Sequence, residues 1–269
     1  MVLDLSEKVA IITGGAGVLG GAMAEGLAAA GARLVLIGRT PEKLEAKAER
    51  LQALGAEVLP VVASVLDRTA LQVASQQILE RWGQINILIN CAGGNKRGAT
   101  ILPEQSIFDL SLDAFGQVTQ LNLQGTLLPI LVFGKAMART GKGCIINISS
   151  MAAQRPLTRV VGYAAAKASI DNLTKWLAVE LAQKYGAGIR VNAIAPGFFV
   201  GEQNRQLLLN EDGSLTARGQ TIVAHTPMKR FGTPQELCGV VNWLCSDGAS
   251  FVTGAVIPID GGFGAYSGV

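Results

Sequence analysis

Residues 9–32 read VAIITGGAGVLGGAMAEGLAAAGA. The opening run, Val9 to Thr13, is short and nearly all apolar, the pattern of a strand buried on both faces. Glycines at 14, 15, 17, 20 and 21 follow at once, and an alanine-rich segment of helix-forming residues closes the stretch. Strand, glycine turn and helix in that order set backbone N–H groups at a helix start, where they attract a pyrophosphate, and glycines let the backbone come close to it. Thr13, Gly14, Gly17, Val18, Leu19 and Gly20 are therefore expected around a dinucleotide's phosphates. The same glycines would also suit a tight turn needed only for packing.

Outward from this unit the chain repeats its rhythm. Further strand-like apolar runs lie at 33–38, 57–63, 85–90, 143–149, 189–195 and 255–259, with helix-length segments at 20–30, 41–54, 67–82, 111–139, 163–185 and 234–246. Thr40-Pro41 places a capping residue before proline at the first helical position. Thr233-Pro234-Gln235-Glu236 reads as a capping box. Alternating strands and helices with buried strands predict an α/β fold, a doubly wound and mainly parallel seven-stranded sheet flanked by helices. No linker or internal repeat divides the 269 residues, which are expected to form one dinucleotide-binding domain over 1–269. The interval 197–232 breaks the rhythm, and a long irregular segment in a compact domain suits a substrate lid.

Apolar residues make up 49% of the chain and charged residues 16%, enough for a large buried core. No run of about 18 uninterrupted apolar residues marks a membrane span. The beginning, MVLDLSEKV, lacks a basic region followed by a cleavage site, so a cytoplasmic location is expected. Cys91, Cys144, Cys238 and Cys245 form no CxxC pair and read as reduced core residues. A net charge of +3 without a basic block gives no support for nucleic-acid binding. A single histidine, His225, leaves no basis for a metal site or a Ser-His-Asp triad and is expected to pack within the lid.

Chemistry concentrates in GYAAAKAS, where Tyr163 and Lys167 stand four apart with Ser150 upstream. On a helix these two share a face. A charge about 5 Å from a phenol contributes roughly 3 kcal/mol at an effective dielectric near 20. That is about two pKa units, so Lys167 is expected to draw the Tyr163 phenol down toward the range of acid–base catalysis, with Ser150 holding the reacting oxygen. An exposed helix pair would show the same spacing. At the end of the second strand Ile37-Gly38-Arg39-Thr40 carries no carboxylate and one arginine. A carboxylate there binds a ribose 2′-hydroxyl, whereas an arginine suits a 2′-phosphate, so NADP(H) is favoured and NAD(H) remains possible. Arg39 as a plain surface charge is the alternative.

With these motifs in place the chain resembles the short-chain dehydrogenase/reductase family along nearly all of its length. The family's TGxxxGxG corresponds to Thr13, Gly14 and Gly20, with Val18 at the middle glycine position. Its NNAG corresponds to Asn90-Cys91-Ala92-Gly93, an adenine-side aspartate is Ser64 beside Val65, and its proline-glycine is Pro196-Gly197. The resemblance implies a Rossmann-type fold and a catalytic set of Asn122, Ser150, Tyr163 and Lys167. Tyr163 would give a proton to a carbonyl oxygen that receives hydride at carbon, Ser150 would polarise that carbonyl, and Asn122 would anchor a water leading to Lys167. Tyr163 and Lys167 would also touch the cofactor. A homotetramer is what the family implies.

The segments GGNKRGAT and SSMAAQRPLTRVVGY, with the interval after Pro196, are similar to the branch that interconverts mannonate and fructuronate. Basic and amide groups border the expected site, and a polyhydroxylated carboxylate needs such donors. Asn95, Arg155, Gln203 and Arg205 are the expected contacts to this small-molecule substrate. Reduction of a 3-oxoacyl group on a carrier protein, oxidation of gluconate at carbon 5, or a non-catalytic NADP-binding regulator are the alternatives. For the carrier-protein case, Lys96, Arg97, Lys229 and Arg230 could form the required basic patch.

Overall fold

Seven strands form one parallel sheet in the order β3-β2-β1-β4-β5-β6-β7, comprising β1 (Val9–Thr13), β2 (Arg33–Gly38), β3 (Val58–Val62), β4 (Ile87–Asn90), β5 (Lys142–Ile148), β6 (Gly188–Pro196) and β7 (Val256–Ile259). The computed structural model describes residues 4–202 and 204–268. Every strand falls within two residues of its predicted position. All pairings are parallel, so the sheet is more uniform than the mainly parallel one expected.

Side chains alternate across each strand, and this divides the core into two layers. Ala10 and Ile12 of β1 pack on one face with Met23, Leu27 and Leu244, whereas Val9 and Ile11 pack on the other with Phe133, Met137 and Leu177. The helices that cover these faces are α1 (Val18–Ala29), α2 (Pro41–Ala53), α3 (Arg68–Trp82), α4 (Leu112–Thr119), α5 (Gly125–Thr140), α6 (Met151–Gln154), α7 (Val161–Tyr185), α8 (Arg205–Leu208), α9 (Ala217–His225) and α10 (Cys238–Cys245). Strand order reverses between β1 and β4. A crevice opens beyond the carboxyl ends of the strands at such a point, and ligands of open α/β sheets bind there.

Two predicted helices have a finer structure than the sequence suggested. The segment expected as one helix over 111–139 is α4, a five-residue π turn at Gln120–Gln124, and α5. Leu112–Thr140 is long and apolar enough to cross a membrane by length and composition, yet Val118, Ile130, Phe133 and Met137 are buried in the fold. The helix expected from residue 234 begins as a 3-10 turn, Pro234–Leu237, before α10. Its capping box is formed, and Thr233 N–H donates to Glu236 at 2.7 Å. Arg230 clasps the same carboxylate and holds it down at about 2.

The interval 197–232 is better ordered than its composition implied. It carries α8 and α9, is pinned by bridges at Phe199–Gly232 and Leu209–Leu215, and buries Phe199, Leu208 and Ile222. His225 does not pack inside it. The ring is exposed at the end of α9, with Nδ1 at 2.8 Å from the Thr221 carbonyl. All four cysteines are free, and the Cys144 and Cys245 thiols meet in the core beside Arg190.

Candidate active site

A groove of about 760 Å³ runs along the carboxyl ends of the strands from the first glycine turn to Tyr163 and Lys167. At one end it is walled by Gly14, Gly17, Val18, Leu19 and Gly20. Gly17 caps α1 with no side-chain bond, so the first N–H groups of the helix are left to a ligand. Gly14 holds the left-handed conformation at φ +67°. A Cβ on Gly20 would stand 2.3 Å from the Gly14 carbonyl oxygen, which excludes any larger residue there. The shape of this turn is thus a matter of backbone, and Val18 at the family's middle glycine position leaves it intact.

Arg39, Ser64 and Val65 line the next stretch of wall, and Ala92 and Gly93 the floor, with Pro196 and Gly197 opposite. Arg39 is exposed and has no ion pair or hydrogen bond to its side chain among the described residues. Its basic neighbours are occupied: Lys47 pairs with Glu25 at 3.0 Å, and Lys43 with Glu202 at 2.7 Å. The second pair ties α2 to the interval 197–232. No local sequence signal could reveal it, because the partners are 159 residues apart.

Two residues expected to touch the cofactor stand behind the wall instead. Thr13 is fully buried, and its Oγ1 accepts from the N–H groups of Cys91 and Ala92 at 3.1 Å each, fixing the turn after β4. Asn90 is buried too. Its amide donates to Asn147 at 2.9 Å, and Asn147 donates to Thr174 on α7 at 2.9 Å. Both are strand-end residues facing inward in register, Thr13 beside Asn90 and Asn90 beside Asn147, so they brace the groove rather than line it.

Those bonds help to hold α7 against the end of β5. Ser149 adds a hydrogen bond to Asp171, and Lys167 Nζ donates to the Ile148 carbonyl at 2.7 Å. The helix therefore presents Tyr163 beside Ser150, which caps α6 by accepting from Ala152 N–H at 3.2 Å. The Ser150 hydroxyl also hydrogen-bonds the Tyr163 phenol. Lys167 Nζ lies 5.5 Å from the centre of the Tyr163 ring, close to the separation the spacing implied.

The electrostatic outcome reverses the sequence expectation. Burial dominates and pushes the Tyr163 phenol above its usual value, although the Ser150 bond pulls the other way. Burial likewise lowers Lys167 to about 8, opposed by Cys91 and Asp171. Cys91, in the groove floor, is raised to about 11. Both Tyr163 and Lys167 are biased toward neutrality, because removing a charge from water costs more here than the pair regains.

Asn122 sits on the π turn, buried. Its amide donates to the carbonyls of Gly94 and Val118 at 2.7 and 2.8 Å, and its Oδ1 accepts from Gly94 N–H at 3.1 Å. A Cβ on Gly93 would meet Asn122 Oδ1 at 2.6 Å and Lys167 Nζ at 3.5 Å, so both groups converge on that glycine. Both amide protons are spent on the backbone. What Asn122 can still offer a water is acceptor capacity on Oδ1.

The expected substrate residues are less united. Asn95 donates to Thr100 at 2.8 Å and leaves its Oδ1 buried with no partner. Arg155 is exposed and forks onto the Gly264 carbonyl at 2.9 and 2.6 Å. The carboxylate of Asp260 fixes that C-terminal turn through Gly262 and Gly264 N–H. Arg205 opens α8 and is exposed, and Gln203 lies outside the described residues. None of the three described residues lines the groove. No group of His, Cys, Asp and Glu among the described residues could hold a metal ion.

A parallel doubly wound sheet, a glycine cradle at its switch point and a Ser-Tyr-Lys cluster beside it define an NAD(P)-dependent oxidoreductase, and the chain belongs to the short-chain dehydrogenase/reductase family. The family profile described as enoyl-(acyl carrier protein) reductase matches residues 15–264. The chain is 46% identical to the uncharacterized oxidoreductase UxuB of Bacillus subtilis, over 99% of this chain and 98% of that one. It superimposes with a TM-score of 0.91 and 41% identity on a candidate D-mannonate oxidoreductase from Haemophilus influenza with bound NAD, covering 99% and 98% of the two chains. A gluconate 5-dehydrogenase from Burkholderia cenocepacia, solved with NADP and tartrate, gives 0.88 and 31%, covering 98% of each.

Proposed function

We propose that the protein reduces the keto group of a sugar acid of the fructuronate type, or oxidises the matching mannonate-type alcohol, with NADP(H) in preference to NAD(H). The observation that carries this reading is the pairing of an intact Ser150, Tyr163 and Lys167 cluster with relatives whose names point to sugar acids.

The groove suits a dinucleotide: the uncapped start of α1 would take the pyrophosphate, Val65 the adenine side, and Arg39 a 2′-phosphate. When bound, that cofactor supplies or accepts the hydride. The chain's own residues handle the proton. Tyr163, held in its protonated form, donates to the substrate oxygen in reduction, and Ser150 hydrogen-bonds the same oxygen as charge builds on it. Lys167, with Asn122 beside Gly93, leads the proton supply back toward solvent. The interval 197–232 serves as the lid, latched to α2 by Lys43 and Glu202. The exposed Trp176 and Val179 of α7 and Leu131 of α5 fit burial between subunits of a homotetramer. Free cysteines fit the cytoplasm.

Reduction of a thioester-linked 3-oxoacyl group is the second reading, favoured by 32% and 33% identity to the 3-oxoacyl-[acyl-carrier-protein] reductases of Thermotoga maritima and Aquifex aeolicus. Three of its four basic residues are occupied, since Arg230 is held by Glu236, Lys229 caps the Ala224 carbonyl and Lys96 donates to Gln117. Initial rates with D-fructuronate, D-tagaturonate, 5-keto-D-gluconate and acetoacetyl-coenzyme A, each with NADPH and NADH, test these readings together. Turnover of a keto acid by at least tenfold over the thioester is expected, and activity on the thioester alone would overturn it. Arg39→Gln is expected to lower kcat/KM for NADPH about 10- to 100-fold, the loss of one charge-assisted phosphate contact, with NADH little changed. Equal losses with both cofactors would exclude a phosphate contact.

A further inference from the structure

Glu202 is the one acidic residue lining the groove among the described residues, and it shares that groove with Arg39, Lys43, Lys47 and Lys167. It stands in the lid, directly after Gly201. The Asn204 side chain closes this turn: its Oδ1 accepts from Gly201 N–H at 2.7 Å, and its amide donates to the Phe199 carbonyl at 2.8 Å. Gly201 rests beside the start of α1, where a Cβ on it would lie 3.7 Å from the Val18 side chain. From that fixed point Glu202 reaches α2 and takes Lys43 Nζ at 2.7 Å. The lid and α2 thus meet at the groove through one ion pair.

The four cations are not equivalent. Lys47 is engaged by Glu25 at 3.0 Å, and Lys167 donates to the Ile148 carbonyl beside Tyr163. Arg39 and Lys43 remain, four residues apart across the start of α2, whose cap Thr40 makes no side-chain bond. No carboxylate stands at the end of β2, where one would take a ribose 2′-hydroxyl and turn away a 2′-phosphate. The carboxylate that the strand end lacks arrives from the lid instead, and it holds one of the two cations that a 2′-phosphate would use. Such a phosphate carries a charge of about −1.5 to −2, so a carboxylate in the same wall opposes it. The pair itself adds little to stability, because both partners are exposed. Its weight lies in the choice of ligand.

We infer that Glu202 is a specificity-determining residue for the cofactor, a charge on the lid that opposes the 2′-phosphate and narrows the preference for NADP(H) that Arg39 creates. This rests on the proposed placing of that phosphate beside Arg39. Glu202 acts in two ways: its carboxylate repels the phosphate, and it competes for Lys43, which must leave the carboxylate before it can bond to phosphate. NAD(H) carries no phosphate there, so Lys43 stays paired and α2 remains strapped to the lid.

Calorimetric titration of each variant with NADPH and with NADH provides the test. Glu202→Gln is expected to raise the ratio of NADPH to NADH affinity about tenfold at about 0.02 M salt, and less than about threefold at about 0.5 M, because charges at an exposed site are screened. Lys43→Gln is expected to lower the same ratio about fivefold, the loss of one phosphate contact. Mere loss of the strap would weaken both cofactors alike and leave the ratio as it was. An unchanged ratio in either variant therefore overturns the inference, as does a rise in Glu202→Gln of equal size at both salt concentrations. Arg39→Gln tests the underlying reading separately. If it leaves the ratio unchanged while Glu202→Gln raises it, the contact to Arg39 falls and the role of Glu202 stands.

Discussion

Tyr163→Phe is expected to lower turnover about 1,000-fold while leaving NADPH affinity within about twofold. A positioned proton donor contributes roughly a hundred- to ten-thousand-fold, and the phenol lines the groove beside Ser150 and Lys167, placed to act as one. The ring stays, so the groove wall keeps its shape, and the lost oxygen costs one bond from Ser150. Thermal midpoint should shift by no more than a few degrees. Retained turnover with normal cofactor binding would remove Tyr163 from the chemistry. The direction of its titration gives a second check. Burial raises the phenol, so in the cofactor-free enzyme it should titrate at higher pH than an ordinary tyrosine. Phenolate absorbance of wild type and Tyr163→Phe should then coincide through neutral and mildly alkaline pH. A difference already present at pH 8 would show that the charge of Lys167 outweighs burial after all.

Lys167→Met is expected to abolish measurable turnover and yet to stabilise the protein. Lys167 is buried at 5% exposure and lowered from 10.5 to about 8. The unfolded chain thus holds this proton more tightly than the folded one. Below about pH 8 the charged lysine opposes folding by the full difference, about 3 kcal/mol for a shift of about 2.5 units. As pH rises from 8 toward 10.5 that opposition fades, because the unfolded lysine loses its proton too. Removing the amine also forfeits the bond to Ile148, about 1 kcal/mol, so a net gain of about 2 kcal/mol is expected at pH 7. In a chain of this size that is a rise of about 4–8 °C in midpoint by calorimetry, shrinking by pH 10. A lower midpoint at pH 7, or a gap that widens with pH, would show that burial does not govern Lys167.

How far the sequence reached follows from what each feature depends on. Strands announced themselves because burial on both faces demands unbroken apolar runs, and VAIIT, RLVLIG and GCIINI could be little else. The glycine cradle was legible for the same local reason. Gly20 and Gly14 are six residues apart, and their contact is a property of one turn. The roles of Thr13 and Asn90 were not, since only the register of β1 beside β4 and β4 beside β5 turns those side chains behind the wall. The sign of the Tyr163 shift was missed because spacing conveys charge and distance but not desolvation, and desolvation won.

The π turn at Gln120–Gln124 gives the long helix one residue more than an α-helix would use over the same span. The surplus is absorbed locally, so Val118 before it and Ile130 and Phe133 after it still face the sheet. Elsewhere in that helix, deleting one residue would rotate everything downstream by about 100° and turn the core face outward. Within the turn the same deletion would merely restore α-helical winding. A chain shortened by one residue here should therefore still fold, but with Asn122 withdrawn from Gly94. The gene can lose a codon at this place and keep the architecture, and the clamp beneath the active site is what disappears.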